Sequence, residues 1–290
     1  ALIRKAEDMN GAESTSSLFP GGFVDAHAHF FPPRMFSAVW DFFETHNWRI
    51  NYKGDPDFLA DVLRGFAASH FTVLNYPHKP GVRDSLAEWT RDFAARQQGS
   101  IPFGSLLPGE PGNLEAAALW FDDWGFRGLK MQPLVSCRPI NQPDMYPVFE
   151  LMAERGKWFV VHAGTAPYPN EFTSLDDLEA LLSDIPELKT ILCHMGGFDF
   201  EKALAMMEKF PNLHLDTAMI FVDAKVFDSA FALPDERLLP FADRIVFGSD
   251  FPNIPYDFSE AVDGLKHRGF DDAFLRGVFR ENARRMFELD

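Results

Sequence analysis

Two histidines separated by a single residue, His27 and His29, end an apolar run in the segment Phe23-Val24-Asp25-Ala26-His27-Ala28-His29. On a strand, alternate residues share a face, so both imidazoles project the same way and can serve one ion or one substrate. Polar side chains end other apolar runs in the same manner. Lys130 and Gln132 do so in Gly128-Leu129-Lys130-Met131-Gln132, His162 in Val160-Val161-His162-Ala163-Gly164, His194 in Leu192-Cys193-His194-Met195-Gly196-Gly197, and Asp250 in Phe247-Gly248-Ser249-Asp250-Phe251-Pro252. Neutral imidazole with carboxylate suits zinc, and also manganese, iron or cobalt, and three or four protein ligands leave a position for water or substrate. A lone His or Asp at a strand end is more often a hydrogen-bonded structural group. The chemical reading therefore rests on several such groups meeting at one place.

The elements that would bring them together are visible as a rhythm. Short runs rich in Val, Ile, Leu and Phe, at residues 22–29, 71–76, 101–107, 127–132, 158–163, 190–195, 212–217 and 244–250, alternate with longer amphipathic stretches. That pattern is one of parallel strands joined by crossover helices. Eight such units predict an α/β chain closed into a distorted (β/α)8 TIM barrel, in which catalytic groups come from the carboxyl ends of the strands. Asp57 reads as the cap of a helix over 58–69, Asn113 as the cap of one over 114–124, and Ser174 with Asp177 as a further start. A last helix over 271–288 would set Phe274, Val278, Met286 and Phe287 against the first strand.

The connection over 30–57 is long for this fold and holds Phe30, Phe31, Phe36, Trp40, Phe42, Phe43 and Trp48. It predicts a long loop or small lid after strand 1, a subunit contact in a homodimer, or an extra helix packed on the barrel. Residues 1–20 show no clear period and read as an N-terminal arm, leaving 21–290 as the barrel domain.

Bulk properties narrow the partners. The 290 residues are 46% hydrophobic and include 31 Phe, 6 Trp and 5 Tyr, enough to fill a barrel and the layer around it. With 27 Lys and Arg against 43 Asp and Glu the formal charge is −16, a field that repels nucleic acid and anionic lipid. No apolar run reaches the roughly 20 residues of a membrane span, and residues 1–20 lack the apolar segment of a signal peptide. A cytoplasmic protein acting on a small molecule is expected. Cys137 and Cys193 are too few for a disulfide framework. Cys193 beside His194 invites a nucleophilic pair, but neighbours on a strand point to opposite faces, and a buried structural cysteine is expected instead.

Taken in order, the paired histidines, the His-Ala-Gly at 162–164, the His194 followed by Gly196 and Gly197, the Gly-Ser-Asp-Phe-Pro at 248–252 and the closing Asn282-Ala283-Arg284-Arg285-Met286-Phe287 resemble the amidohydrolase superfamily. The resemblance runs from about Gly22 to Phe287. It is closest to the branch of amidohydrolase-related hydrolases and decarboxylases that includes aminocarboxymuconate semialdehyde decarboxylase. That resemblance implies one divalent ion, zinc first, on His27, His29, His162 and Asp250, with Asp250 and His194 as catalytic groups and His194 not a ligand. Other branches bridge two metals with a carboxylated lysine on strand four. For Lys130 a grip on a substrate carboxylate, or pairing with a buried acid, is expected instead. Tyr76, His78, Gln132 and Arg138 follow strand ends and are further candidate substrate contacts.

Hydrolysis of a C–N or C–O bond in a small organic acid, amide or lactone is the leading expectation, with water activated by the ion and Asp250 taking its proton. Nonoxidative decarboxylation of an aromatic or muconate-like acid is the alternative that the same groups allow. A barrel that has lost catalysis and only binds is the third reading, and the intact ligand set argues against it.

Overall fold

The computed structural model describes residues 21–222 and 232–289, so the expected arm at 1–20 lies outside the described residues. Parallel strands form two arcs. The first holds β1 (Phe23–Asp25), β2 (Ala68–Val73) and β3 (Ser100–Pro102); the second runs β4 (Gly128–Met131), β5 (Trp158–Val161), β6 (Lys189–Leu192), β7 (Leu213–Asp216) and β8 (Ile245–Val246). Single bridges join the arcs at both seams. Gly104 pairs with Leu129 on one side, and on the other Ala26 N–H reaches Phe247 O at 2.9 Å while Ala28 pairs with Phe251. The barrel is therefore closed, and its distortion lies at these seams, where one bridge replaces a ladder.

Between the strands run α1 (Pro33–Thr45), α2 (Pro56–Gly65), α3 (Arg83–Arg96), α4 (Asn113–Asp122), α5 (Tyr146–Glu154), α6 (Leu175–Asp184) and α7 (Phe200–Lys209), and α8 (Phe258–Lys266) follows β8. Two expected caps move. Asp55, not Asp57, caps α2 by accepting Phe58 N–H at 2.9 Å, because Pro56 has no N–H and suits the first helical position. Gly112 precedes α4, and Asn113 is its first residue, its side chain buried and bonded to Leu107 O and Arg83. Ser174 caps α6 as expected, accepting Asp176 N–H.

The last helix is not continuous. It is α9 (Asp272–Arg276), a π turn over Gly277–Glu281, and α10 (Asn282–Phe287). The interruption lets the Asn282 amide donate to Ala242 O and Ile245 O, both at 2.7 Å, while Val278 O accepts Phe247 N–H. Met286 and Phe287 then plug the amino end of the barrel, Phe287 edge-on to Phe103 and Trp158, beneath an interior of Val24, Ile101, Val160, Ile191 and Val246. Truncating a buried Phe of this kind costs about 3–5 kcal/mol, so this plug is a sizeable share of a typical domain's stability.

The long connection after β1 contains α1, whose Phe36 and Trp40 are buried and stacked at 4.7 Å. The segment after it is tied to the turn following β8, with Trp48 Nε1 donating to Asn253 O at 2.9 Å and Asn51 N–H to Ile254 O. An extra helix packed on the barrel is thus present. Phe42 on its outer face is 60% exposed.

A cluster of histidines and carboxylates at the barrel mouth

Where β1 leaves the ladder, His27 and His29 enter the mouth, and the chain after β8 brings Asp250 to them. His29 Nε2 lies 2.9 Å from Asp250 Oδ1 and 3.1 Å from His27 Nε2, and His27 Nε2 lies 3.5 Å from the same carboxylate oxygen. Asp250 has a left-handed backbone (φ +64°), which Asp tolerates better than most residues and which aims its carboxylate back across β1. Asp250 N–H bonded to His27 O at 2.8 Å fixes that turn. Below it, the buried Asp25 accepts His27 N–H, Ser249 N–H and the Ser249 hydroxyl, knitting β1 to the chain after β8. Burial pushes the Asp25 carboxyl up to about 7 against the Ser249 hydrogen bond.

The other two histidines continue the row. The ring centroid of His194 is 5.0 Å from that of His27 and 4.9 Å from that of His162. His194 does not sit on the end of a strand as expected. The strand stops at Leu192, and Cys193–Gly196 form a tight turn with His194 and Met195 both left-handed (φ +55° and +51°). Gly164 makes the approach of the neighbouring turns feasible, because a Cβ there would stand 2.0 Å from Gly196 O. The strand argument for divergent Cys193 and His194 side chains is therefore superseded, although Cys193 is fully buried as expected.

Each imidazole has one nitrogen engaged by an oxygen that only accepts. His27 Nδ1–H donates to Asp216 Oδ2 (2.8 Å), His29 Nδ1–H to Leu74 O (3.3 Å), His194 Nδ1–H to Ala218 O (3.0 Å) and His162 Nε2–H to Ala166 O (3.1 Å). The second nitrogen of each is thereby left with its lone pair. Burial pushes all four below the usual histidine value, His162 to about 3, so these rings are neutral at physiological pH. Burial alone would raise Asp250, but the surrounding His27, His29 and His194 hold its carboxylate below the usual range.

Three lone-pair atoms on His27, His29 and Asp250 thus face one another, an arrangement that a cation would relieve. His194 joins His27 and Asp250 in one group whose donor atoms lie within 4.8 Å of each other. His162 stands one ring further on, but its Nδ1 is buried without a hydrogen-bond partner among the described residues. The donor set fits a divalent ion, with His194 inside the group and His162 one ring beyond it.

The candidate substrate residues separate. Tyr76 is buried and edge-on to His29 at 5.6 Å, with Phe31 behind it at 5.0 Å. Gln132 keeps a buried Oε1 with no partner among the described residues. Lys130 is 1% exposed and donates to Cys193 Sγ at 3.0 Å, and its charge helps depress His27, His29 and His162. His78 and Arg138 stand exposed on their loops. Asp216, at the end of β7, was not among the expected residues; only its place at a strand end could have marked it.

A family profile described as Amidohydrolase matches residues 24–289. A search of curated proteins finds no match. Among solved structures the fold is shared with an uncharacterised TIM-barrel protein of Bordetella bronchiseptica, at TM-score 0.71 and 16% identity over 92% of this chain and 99% of that one. It is also shared with 2,6-dihydroxybenzoate decarboxylase from Rhizobium, at TM-score 0.61 and 19% identity over 93% and 99%. A third is 5-carboxyvanillate decarboxylase from Novosphingobium aromaticivorans, solved with manganese, at TM-score 0.61 and 12% identity over 92% and 96%. No helix among the described residues is long and apolar enough to cross a membrane.

Proposed function

The chain belongs to the amidohydrolase family, and from that premise we propose that it is a metal-dependent enzyme that removes carbon dioxide from a small, planar, unsaturated carboxylic acid. The observation that carries the reading is the convergence of His27 Nε2, His29 Nε2 and Asp250 Oδ1 beside an aromatic wall. A divalent ion held by these groups, with the buried Nδ1 of His162 as a further donor, would supply Lewis acidity to a substrate oxygen.

The chain's own residues do the rest. Tyr76, with Phe31 behind it, offers a face for a flat unsaturated substrate, where ring contacts add about 0.5–1.5 kcal/mol beyond area. His194, fixed through Ala218 O, presents its free nitrogen next to His27 and can hold a substrate oxygen or its proton. Gln132 Oε1 accepts a hydroxyl or acid proton of the substrate. Decarboxylase likenesses in fold support this reading by analogy only.

Hydrolysis of a C–N or C–O bond is the second reading. Its specific support is Asp250, held as a carboxylate and so prepared to accept a proton from water rather than deliver one to carbon. Incubating the metal-loaded protein with aromatic acids, lactones and amides while following carbon dioxide release separates the two. Turnover of a hydroxybenzoate with stoichiometric carbon dioxide supports the first; cleavage of a lactone or amide without carbon dioxide overturns it in favour of the second.

A further inference from the structure

Asp216 lies fully buried at the end of β7, and both of its carboxylate oxygens are committed across the barrel. Oδ2 accepts from His27 Nδ1 at 2.8 Å. Oδ1 accepts His194 N–H at 2.8 Å and Ala218 N–H at 3.1 Å. The first of these amides belongs to the left-handed turn that carries the His194 ring. The second belongs to the residue whose carbonyl receives His194 Nδ1–H. One carboxylate thus fixes a histidine on β1 directly, and fixes the backbone and ring acceptor of a histidine after β6.

The surrounding chain is shaped to permit this. Gly248 passes so close that a Cβ there would stand 2.7 Å from His27 Cβ and 3.3 Å from Asp216 Cβ, so only glycine leaves room for the pair to meet. Thr217 Oγ1 accepts Gly248 N–H at 3.2 Å and holds that strand in place.

The geometry points to Asp216 as a positioning residue that sets the Nδ1–H tautomer of His27 and locks the His194 turn, so that ion retention and the placement of the catalytic ring depend on one side chain. This rests on the metal-site reading above. Its consequence is specific to the carboxylate. In Asp216→Asn, the amide oxygen still serves the His194 and Ala218 amides, which turns the amide N–H toward His27. His27 must then accept at Nδ1 and carry its proton on Nε2, the atom that faces His29 and Asp250.

Two measurements test it. Nitrogen chemical shifts of the labelled histidine rings in metal-free wild-type protein at about pH 7, assigned with His27→Gln, should show His27 protonated at Nδ1. In Asp216→Asn they should show it protonated at Nε2. Zinc affinity by chelator competition should fall roughly 10- to 100-fold in Asp216→Asn, the usual scale for losing the group that orients a ligand. An Nε2–H tautomer at His27 in the wild type overturns the inference without any variant, as does unchanged tautomer or unchanged zinc affinity in a folded Asp216→Asn protein. Should the wild type bind no zinc, the metal reading fails, while the tautomer measurement still decides the role of Asp216.

Discussion

His29 Nε2 and Asp250 Oδ1 stand 2.9 Å apart, and with His29 Nδ1–H given to Leu74 O neither atom has a proton to offer the other. Such a pair is stable only around a cation or an added proton. The protein should therefore take up close to one divalent ion per chain. Asp250→Ala should weaken binding by two orders of magnitude or more, as roughly expected for losing a ligand when second-sphere losses alone reach 10- to 100-fold. At 100 times its dissociation constant the ion should raise stability by about 2.7 kcal/mol. Calorimetric titration and thermal melts with and without chelator check this; an unchanged melting point on adding metal refutes it.

His162 and His194 flank the same cluster, and their substitutions should part company. His162→Ala should lower ion affinity, because it removes the buried, unpaired Nδ1. His194→Asn should keep the ion and lower kcat by roughly 100-fold or more. Metal content by emission spectroscopy beside kcat decides; the reverse pattern would exchange the two roles.

Gln132 holds a buried acceptor that none of the described residues uses. Gln132→Leu should leave the melting point unchanged or raise stability by up to about 1 kcal/mol, since an unsatisfied group is removed. It should also raise KM about tenfold through the lost hydrogen bond to substrate. A large fall in stability with unchanged KM would mark Gln132 as structural only.

His214, on β7 with its ring edge-on to Trp158, is pushed by burial from its ordinary 6.5 down to about 4, against a hydrogen bond involving Asn212 O. The folded protein therefore keeps it neutral while the unfolded chain takes up a proton below 6.5. Its contribution is fully present above 6.5 and is lost as pH falls toward about 4, by at most roughly 3 kcal/mol. Urea unfolding of wild type and His214→Gln across that window should show the wild type losing more on acidification. Parallel curves would exclude this origin.

Much of the site could be read from the chain because a polar residue ending an apolar run is conspicuous: His27, His29, His162, His194 and Asp250 all stood out in this way. Asp216 had the same position after Leu213 and Leu215, yet an acid followed by Thr217 also reads as an ordinary turn. Its partners His27 and His194 belong to other strands and become neighbours only when the ring closes. The His194 turn was half visible in Gly196 and Gly197, but nothing local required the left-handed backbone to begin two residues earlier. The misplaced cap of α2 was avoidable, since Pro56 at the first helical position points to Asp55. The break in the last helix was not, because it answers to Ala242 and Ile245, whose carbonyls Asn282 must reach.

The seam between the first and last strands has a consequence for how the protein is made. β1 can pair with β2 early, but Phe23 is buried against Phe247 and Phe258 and Ala26 bonds to Phe247, so the other edge of β1 is closed only once residues more than 220 positions on have been synthesised. Until then that edge of β1, next to the future histidine pair, is open to wrong partners. Such distant pairings slow folding and prolong the interval in which chains can associate wrongly. Yield during expression should thus depend on temperature and chaperone supply more steeply than the finished protein's resistance to heat would suggest.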